Sequence, residues 1–375
     1  MGVATMAGRI AGSNSKPFRM NRTRILVTGG AGFVGSNIAM ALKRDLDGVE
    51  VVAFDNLKRR GSELTLGRLR AGGVSFEHGD VRCAEDLGAL GPADLVIECS
   101  AEPSVHAGYD GNPSYVVNTN LLGTVNCLEY ARRHGADMVF LSTSRVYPIA
   151  ALRAIPLEEQ GDRLVVPPGA AGPGWSEAGI GTDFPLSGSR SIYGATKLAS
   201  ELLIEEYRAL YGLKIAINRC GVLTGPWQMG KVDQGVIVLW MARHVFGGPL
   251  GYMGFGGHGR QVRDILHVDD LYDLVRLQMA DPDGFSQGVF NVGGGPGVSV
   301  SLRELTGHCR RISGGQVVLG SDPETRDADV PYYVTDNAAI TRACGWAPRR
   351  SVEIVLGDIH AWLLENRAML APMFA

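Results

Sequence analysis

Long hydrophobic runs, paired cysteines and a surplus of either charge are all missing from this chain. No run reaches the roughly 18 apolar residues of a membrane-spanning helix, and residues 1–20 lack the apolar core of a secretory signal. The six cysteines, Cys83, Cys99, Cys127, Cys220, Cys309 and Cys344, stand singly, without Cys-x-x-Cys spacing or partnering histidines. That pattern argues against a metal site and a small disulfide framework, and no metal is expected. Free thiols point to a reducing compartment, so a cytoplasmic protein is expected. Lysine and arginine total 36 against 39 aspartate and glutamate, a formal charge of -3. Without a basic excess there is little to neutralise a phosphate backbone, so neither nucleic acid nor membrane is expected as a partner.

What is present is a chain of 375 residues, 45% hydrophobic and 20% charged, an ordinary globular composition long enough for two domains. Residues 1–22 read as a disordered tail. From Arg24 onward, short β-branched runs (Ile25–Val27, Val49–Phe54, Val74–Phe76, Leu95–Ile97, Met138–Leu141, Ile215–Ile217) alternate with helical patterns at Val34–Leu46, Tyr115–Arg133 and Tyr193–Tyr211. The alternation predicts an α/β fold, a Rossmann-type doubly wound parallel sheet over residues 23–220. Residues 221–375 read mainly as a smaller α/β substrate-binding domain, with short strands near Tyr252, Val262 and Val289 and helices near Val236, Val268, Leu302 and Val352. Arg263–Met279 is expected to pack back on the sheet. Between residues 150 and 188 the periodicity fails amid prolines and glycines, which predicts a long loop, either a lid over the site or a surface insertion.

The sequence Thr28-Gly29-Gly30-Ala31-Gly32-Phe33-Val34-Gly35 follows the first strand and opens the first helix. Gly29, Gly32 and Gly35 carry the spacing in which one glycine makes a sharp turn, one admits a pyrophosphate and one lets helix and strand pack closely. Asp55, about 20 residues beyond Gly35, ends the second strand, where a carboxylate accepts from both ribose hydroxyls and favours NAD. Lys58-Arg59-Arg60 keeps NADP open. Asp80 and Val81 follow the third strand and are expected near the adenine, although Asp80 also suits a turn or helix cap. Phe33, Val34, Asn56 and Ser100 complete the expected cofactor contacts.

Tyr193 and Lys197 stand four apart, on one face of a helix. The ammonium is expected to depress the phenol's pKa, so that the phenolate takes a hydroxyl proton, while Lys197 also holds the nicotinamide ribose. The same spacing arises on amphipathic surface helices, but here it follows the fifth strand of a nucleotide-binding sheet. That strand ends Ser142-Thr143-Ser144-Arg145, and Thr143 is the hydroxyl expected to complete a proton relay with Tyr193.

Taken in order, Thr28–Gly35, Gly79-Asp80-Val81, Asn120–Thr124, Ser142-Thr143, Tyr193–Lys197 and Arg263–Asp270 resemble the extended short-chain dehydrogenase/reductase superfamily, in particular its nucleotide-sugar epimerases and dehydratases. The resemblance covers residues 24–365. It implies that Thr143, Tyr193 and Lys197 are the catalytic trio, that Asn120 lies beside the cofactor and that the chain forms a homodimer or homotetramer. Dehydratases of the superfamily carry an Asp-Glu pair at the positions held here by Ser144 and Arg145, which points to epimerisation. The stretches Ser142–Tyr147, Arg219–Pro226 and Gly259–Asp264 are most similar to the CDP-paratose 2-epimerase (CDP-tyvelose epimerase) family. They depart from it at Ser144, Arg145 and Pro148, beside the sugar. The implied activity is an NAD-dependent epimerisation of a nucleotide-diphosphate sugar at C2 through a transient keto sugar. The alternatives are a UDP-sugar 4-epimerase, against which Val222 stands, and a non-catalytic NAD-binding regulator. The resemblance assigns Arg263, Arg326 and Asp329 to the nucleotide diphosphate; Gln228, Asp233 and Gln234 are expected near base or sugar. Ser104, with Glu102 and His106, is expected to face the same pocket.

Overall fold

The computed structural model describes residues 22–109, 112–230 and 234–374. The expected tail, Arg22 excepted, and Asp233 lie outside the described residues.

Seven parallel strands form the main sheet: β1 (Arg24–Thr28), β2 (Glu50–Asp55), β3 (Ser75–His78), β4 (Leu95–Glu98), β5 (Asp137–Thr143), β6 (Ile215–Cys220) and β7 (Val289–Val292), in the order β3-β2-β1-β4-β5-β6-β7. Both faces are covered, which is why the strands read as continuous apolar runs instead of alternating ones. In β1, Ile25 and Val27 enter a core with helix α1 (Phe33–Asp45), while Leu26 points into the opposite core, with Leu128 and Ile204. Those two residues belong to α2 (Gly123–His134) and α3 (Ile192–Tyr211). The strand order reverses between β1 and β4, and a crevice opens there at the carboxyl ends of the strands.

The expected helix at Tyr115–Arg133 is present but not uniform. Ser114–Val117 is α-helical, Asn118–Leu122 forms a π-turn, and α2 follows. Beyond β6, Val262–His267 pairs in parallel with Val222–Thr224 and Tyr332–Tyr333, and antiparallel with Ser299–Ser301. Helices α4 (Val236–Phe246), α6 (Leu302–Ser313) and α7 (Val352–Glu365) enclose a core containing Trp240, Leu305, Leu356 and Trp362. A capping box starts α6, with Ser301 Oγ accepting from the Glu304 N–H at 3.0 Å and the Glu304 carboxylate accepting from the Ser301 N–H at 2.8 Å. Helix α5 (Val268–Ala280) returns to the main sheet, where Leu271, Leu274 and Val275 join the core containing α1. The preceding strand does not return; it belongs to the smaller sheet. Conversely Val289, grouped with the second domain by its place in sequence, lies in β7 beside β6.

The stretch 150–188 is not a structureless loop. A short helix (Ile149–Arg153) precedes two hairpins, Glu158–Gln160 with Arg163–Val165 and Trp175–Ser176 with Gly179–Ile180. Its prolines and glycines mark turns, as at Gly174 (φ +69) and Gly179 (φ +116). Strands of two or three residues are too short to display an alternation. Ile155, Val166, Ile180 and Phe184 are buried with Tyr147, Tyr332 and Tyr333, so the segment is fastened to the smaller sheet.

Candidate active site

The crevice begins at the turn after β1. Gly29 has φ +63, and a Cβ there would lie 2.8 Å from the Cys99 carbonyl and the Ser100 nitrogen. A Cβ on Gly35 would collide with Gly29 O, so this glycine sets how closely α1 approaches the turn. Gly30, overlooked in the sequence pattern, packs against Ala53 of β2 just as tightly. Gly32 is the N-cap of α1, leaving the helix N-terminus open to an anion.

A cleft of about 280 Å3 runs from this turn past Gly32, Asp55, Asn56, Val81 and Ser100. Asp55 Oδ2 accepts from the Ala31 N–H at 3.1 Å and Oδ1 from the Leu57 N–H at 2.8 Å, which fixes the carboxylate at the strand end. Burial pushes its pKa up, opposed by those backbone donors. Phe33 and Val34 line the larger cavity next door, which shares Cys99, Ala101 and Pro103 with the cleft. Of the basic cluster, the Lys58 ammonium lies 3.5 Å over the Tyr115 ring and Arg59 is bonded to Gln234, so both are engaged with protein groups.

Two expected cofactor contacts stand behind the wall. Asp80 is absent from the cleft lining; its carboxylate accepts from Arg82 Nε at 2.9 Å and Asn56 Nδ2 at 2.8 Å. Arg82 beside it holds the group well below the usual carboxylate range. Asn120 is fully buried in the π-turn. Its Oδ1 accepts from the Glu102 N–H at 2.7 Å, and its Nδ2 donates to Glu102 O at 3.1 Å and Thr196 Oγ1 at 3.3 Å. It therefore clamps α3 to the strand end after β4 and reaches neither cavity. Ser104 is buried, its backbone N–H donating to Glu102 Oε1 at 3.2 Å, and it lines neither cavity.

The larger cavity, about 630 Å3, holds Thr143, Tyr193 and Lys197 on one wall. Helix α3 is capped by Ser191, whose Oγ accepts from the Gly194 N–H at 3.2 Å. Gly194 is required because any Cβ there would strike Arg145 O; its absence lets the helix abut the end of β5 and sets Tyr193 against Thr143. Burial pushes the Tyr193 phenol up to about 12, against the lowering effect of the Thr143 hydrogen bond and of the Arg145 charge. Arg145 is the foremost positive charge lowering this phenol. Lys197 lies against the sheet, with Nζ 4.4 Å over the Phe140 ring. Burial lowers its pKa, and Glu98 is the foremost charge opposing that.

Arg263, Arg326, Asp329, Gln228 and Gln234 line the same cavity, drawn from three remote stretches of chain. Arg263 donates to Val330 O at 2.6 Å, and burial drives its pKa down to about 9, with repulsion from Arg145 adding to the shift. Gln228 is committed to Thr224 and Leu223 O, both at 3.0 Å. His106 Nε2 stands 3.7 Å from Asp329 Oδ1. Sequence reasoning missed Trp240, Arg243, Met253 and Gln261 as lining residues. No local signal marks them, because α4 and the smaller sheet deliver them only when folded. Asp329 is the one carboxylate lining this cavity among the described residues. Buried guanidinium groups on largely apolar walls suit an anionic ligand with a nonpolar remainder.

Among the described residues no cluster of metal-ligating side chains occurs, and no helix is long and apolar enough to cross a membrane. Residues 25–293 match the NAD dependent epimerase/dehydratase family. The chain is 28% identical over 348 residues to the CDP-paratose 2-epimerase of Salmonella typhi, covering 90% of this chain and 98% of that protein. It is 30% identical over 356 residues to a dTDP-glucose 4,6-dehydratase of Streptomyces griseus, covering 94% and 97%. The UDP-glucose 4-epimerase of Thermus thermophilus, solved in complex with NAD, is similar with a TM-score of 0.71 and 27% identity, over 91% of this chain and 99% of that one. With the family matched over most of its length, this chain is a member of the NAD dependent epimerase/dehydratase family, and its cofactor is NAD.

Proposed function

We propose that the protein epimerises a nucleotide-diphosphate sugar by transient oxidation to a keto sugar, at C2 as in the CDP-paratose 2-epimerase relative. The carrying observation is the wall beside Tyr193. Where an elimination would need a carboxylic acid and a carboxylate working as a pair, the cavity presents Ser144 and Arg145. That is the ground for preferring epimerisation to the dehydration carried out by the Streptomyces relative.

NAD, when bound, supplies a hydride acceptor that later gives the hydride back, so no net oxidation occurs. Tyr193 is the group that takes the proton from the sugar hydroxyl and returns it, with Thr143 holding the phenol and the hydroxyl in line. Lys197 and Arg145 supply positive charge around the phenolate from opposite sides. Arg263 and Arg326 hold the diphosphate, and the apolar surfaces of Trp240 and Leu250 take the less polar part of the ligand.

The test is to incubate the purified, NAD-loaded protein with CDP-, UDP- and dTDP-hexoses and read the products by NMR. Inversion at C2 is expected. Inversion at C4 moves the reading to the UDP-sugar 4-epimerases, which the Thermus structure represents. A 4-keto-6-deoxy product would replace epimerisation with dehydration.

A further inference from the structure

Glu98 is a buried carboxylate that the mechanism above leaves unused. It ends β4, is 1% exposed, and pairs in register with Thr28 of β1 and Phe140 of β5. Neighbouring residues of parallel strands project to the same side, so Glu98 and Phe140 stand side by side beneath α2 and α3. Thr124 Oγ1, on α2, lies 2.6 Å from Glu98 Oε1 and 2.7 Å from Asn120 O, sharing one proton between the two, while Oε2 has no hydrogen-bond partner among the described residues. Lys197, on α3, rests its ammonium on the Phe140 ring. The unsatisfied carboxylate oxygen and the catalytic ammonium therefore occupy the same enclosed space between sheet and helices.

We propose that Glu98 is the counter-charge of Lys197: a positioning residue, outside the cavity wall, that keeps the ammonium charged from behind while its front serves the site. The inference rests on the proposed catalytic role of Lys197. Burial works against both charges, and each is the foremost charge acting on the other. The other titratable groups facing Lys197 are Cys99 just after β4, Cys220 from β6 and Cys127 from α2. Burial raises all three thiols and the Glu98 carboxyl alike, and because a carboxyl ordinarily ionises at much lower pH than a thiol, Glu98 is the group among them suited to serve as the anion. On its own helix Tyr193 is also neutral there. A buried cation whose counter-charge is removed is expected to surrender its proton more readily.

Glu98→Gln removes the charge yet keeps an oxygen for the Thr124 hydroxyl, so a purely structural Glu98 is not affected by it. The probe is 13Cε-lysine NMR of the NAD-loaded protein. Lys16, Lys43, Lys58, Lys197, Lys214 and Lys231 are its only lysines, and the Lys197 signal is assigned as the one lost in Lys197→Arg. In Glu98→Gln the Lys197 midpoint is expected to fall by about one pH unit, a tenfold loss of proton affinity, whereas Glu98→Asp keeps it nearer the native value. A midpoint unmoved by Glu98→Gln overturns the proposal. Infrared spectra give a second reading: an ionised Glu98 contributes no protonated-carboxyl band at pH 7, and such a band in the native protein, absent in Glu98→Gln, overturns it as well. A shifted midpoint in a protein that turns over no nucleotide sugar keeps the pair and defeats the proposed function instead.

Discussion

The two halves of the crevice are built by different means. On the cofactor side the decisive features are backbone ones: a left-handed glycine, a helix N-terminus and close strand–helix approaches. Of the charged side chains there, Asp55 is held by backbone N–H groups, Lys58 by an aromatic ring and Arg59 by an amide. On the other side the backbone contributes little, and guanidinium and aromatic side chains from residues 145, 240, 263 and 326 converge on one cavity. The cofactor half is hard to alter without breaking the fold; the opposite half can change its ligand by exchanging side chains.

Four substitutions probe that contrast. Tyr193→Phe should have the largest effect, cutting kcat roughly a thousandfold by removing the proton acceptor. NAD released on denaturation should be unchanged in amount, and its loss would mean that the phenol serves the cofactor half instead. Gly35→Ala should cost about 2–4 kcal/mol of stability and deplete bound NAD, because the new Cβ meets backbone that cannot move aside. Denaturant unfolding and cofactor content check it; native NAD content would show the turn to be more compliant than its geometry implies. Arg263→Gln should raise KM for the nucleotide sugar roughly tenfold to a hundredfold, equivalent to about 1.5–3 kcal/mol, with kcat nearly unchanged. A fall in kcat alone would place Arg263 at the reacting carbon.

The smallest change is expected from Asp80→Asn, despite the aspartate's place after β3. Because Arg82 depresses its folded pKa, the stability Asp80 adds is present above the ordinary aspartate range, near pH 4, and is lost as pH falls through the folded value. For a partly exposed pair this amounts to under about 1 kcal/mol. The difference between Asp80→Asn and the native protein should therefore appear in denaturation at pH 7 and shrink steadily as pH falls below about 4. A large loss of NAD affinity would return Asp80 to the cofactor contacts.

The same contrast governs what could be read in advance. Gly29, Gly32, Gly35 and Asp55 lie within one β-α-β stretch, so their spacing encodes their geometry. Gly30 and Gly194 escaped notice because their reasons, Ala53 and the Arg145 carbonyl, lie on other elements. Asn120 was placed in the right neighbourhood, but its amide is spent on Glu102 and Thr196; spacing locates a residue on an element and does not say where its side chain spends its hydrogen bonds. The relation of Tyr193 to Lys197 illustrates this. Four residues apart on α3 they share a face, yet the lysine rests on the Phe140 ring and Arg145 is the foremost positive charge on the phenol. Residues 150–188 defeated periodicity, since strands of two or three residues span too few repeats to display one.

Strand β7 carries a consequence for how this chain is made. It completes the sheet beside β6 but is synthesised about 70 residues later, and α5, which covers α1, emerges just before it. At about 5–20 residues per second a nascent chain holds the β6 edge bare for roughly 3–14 s. Ile217 to Cys220, which later pair with Val289 to Val292, are an unpaired parallel edge throughout that interval. The match to the family ends at residue 293, directly after β7. The unit held in common thus closes at the moment the growing polypeptide can first cover its own exposed strand.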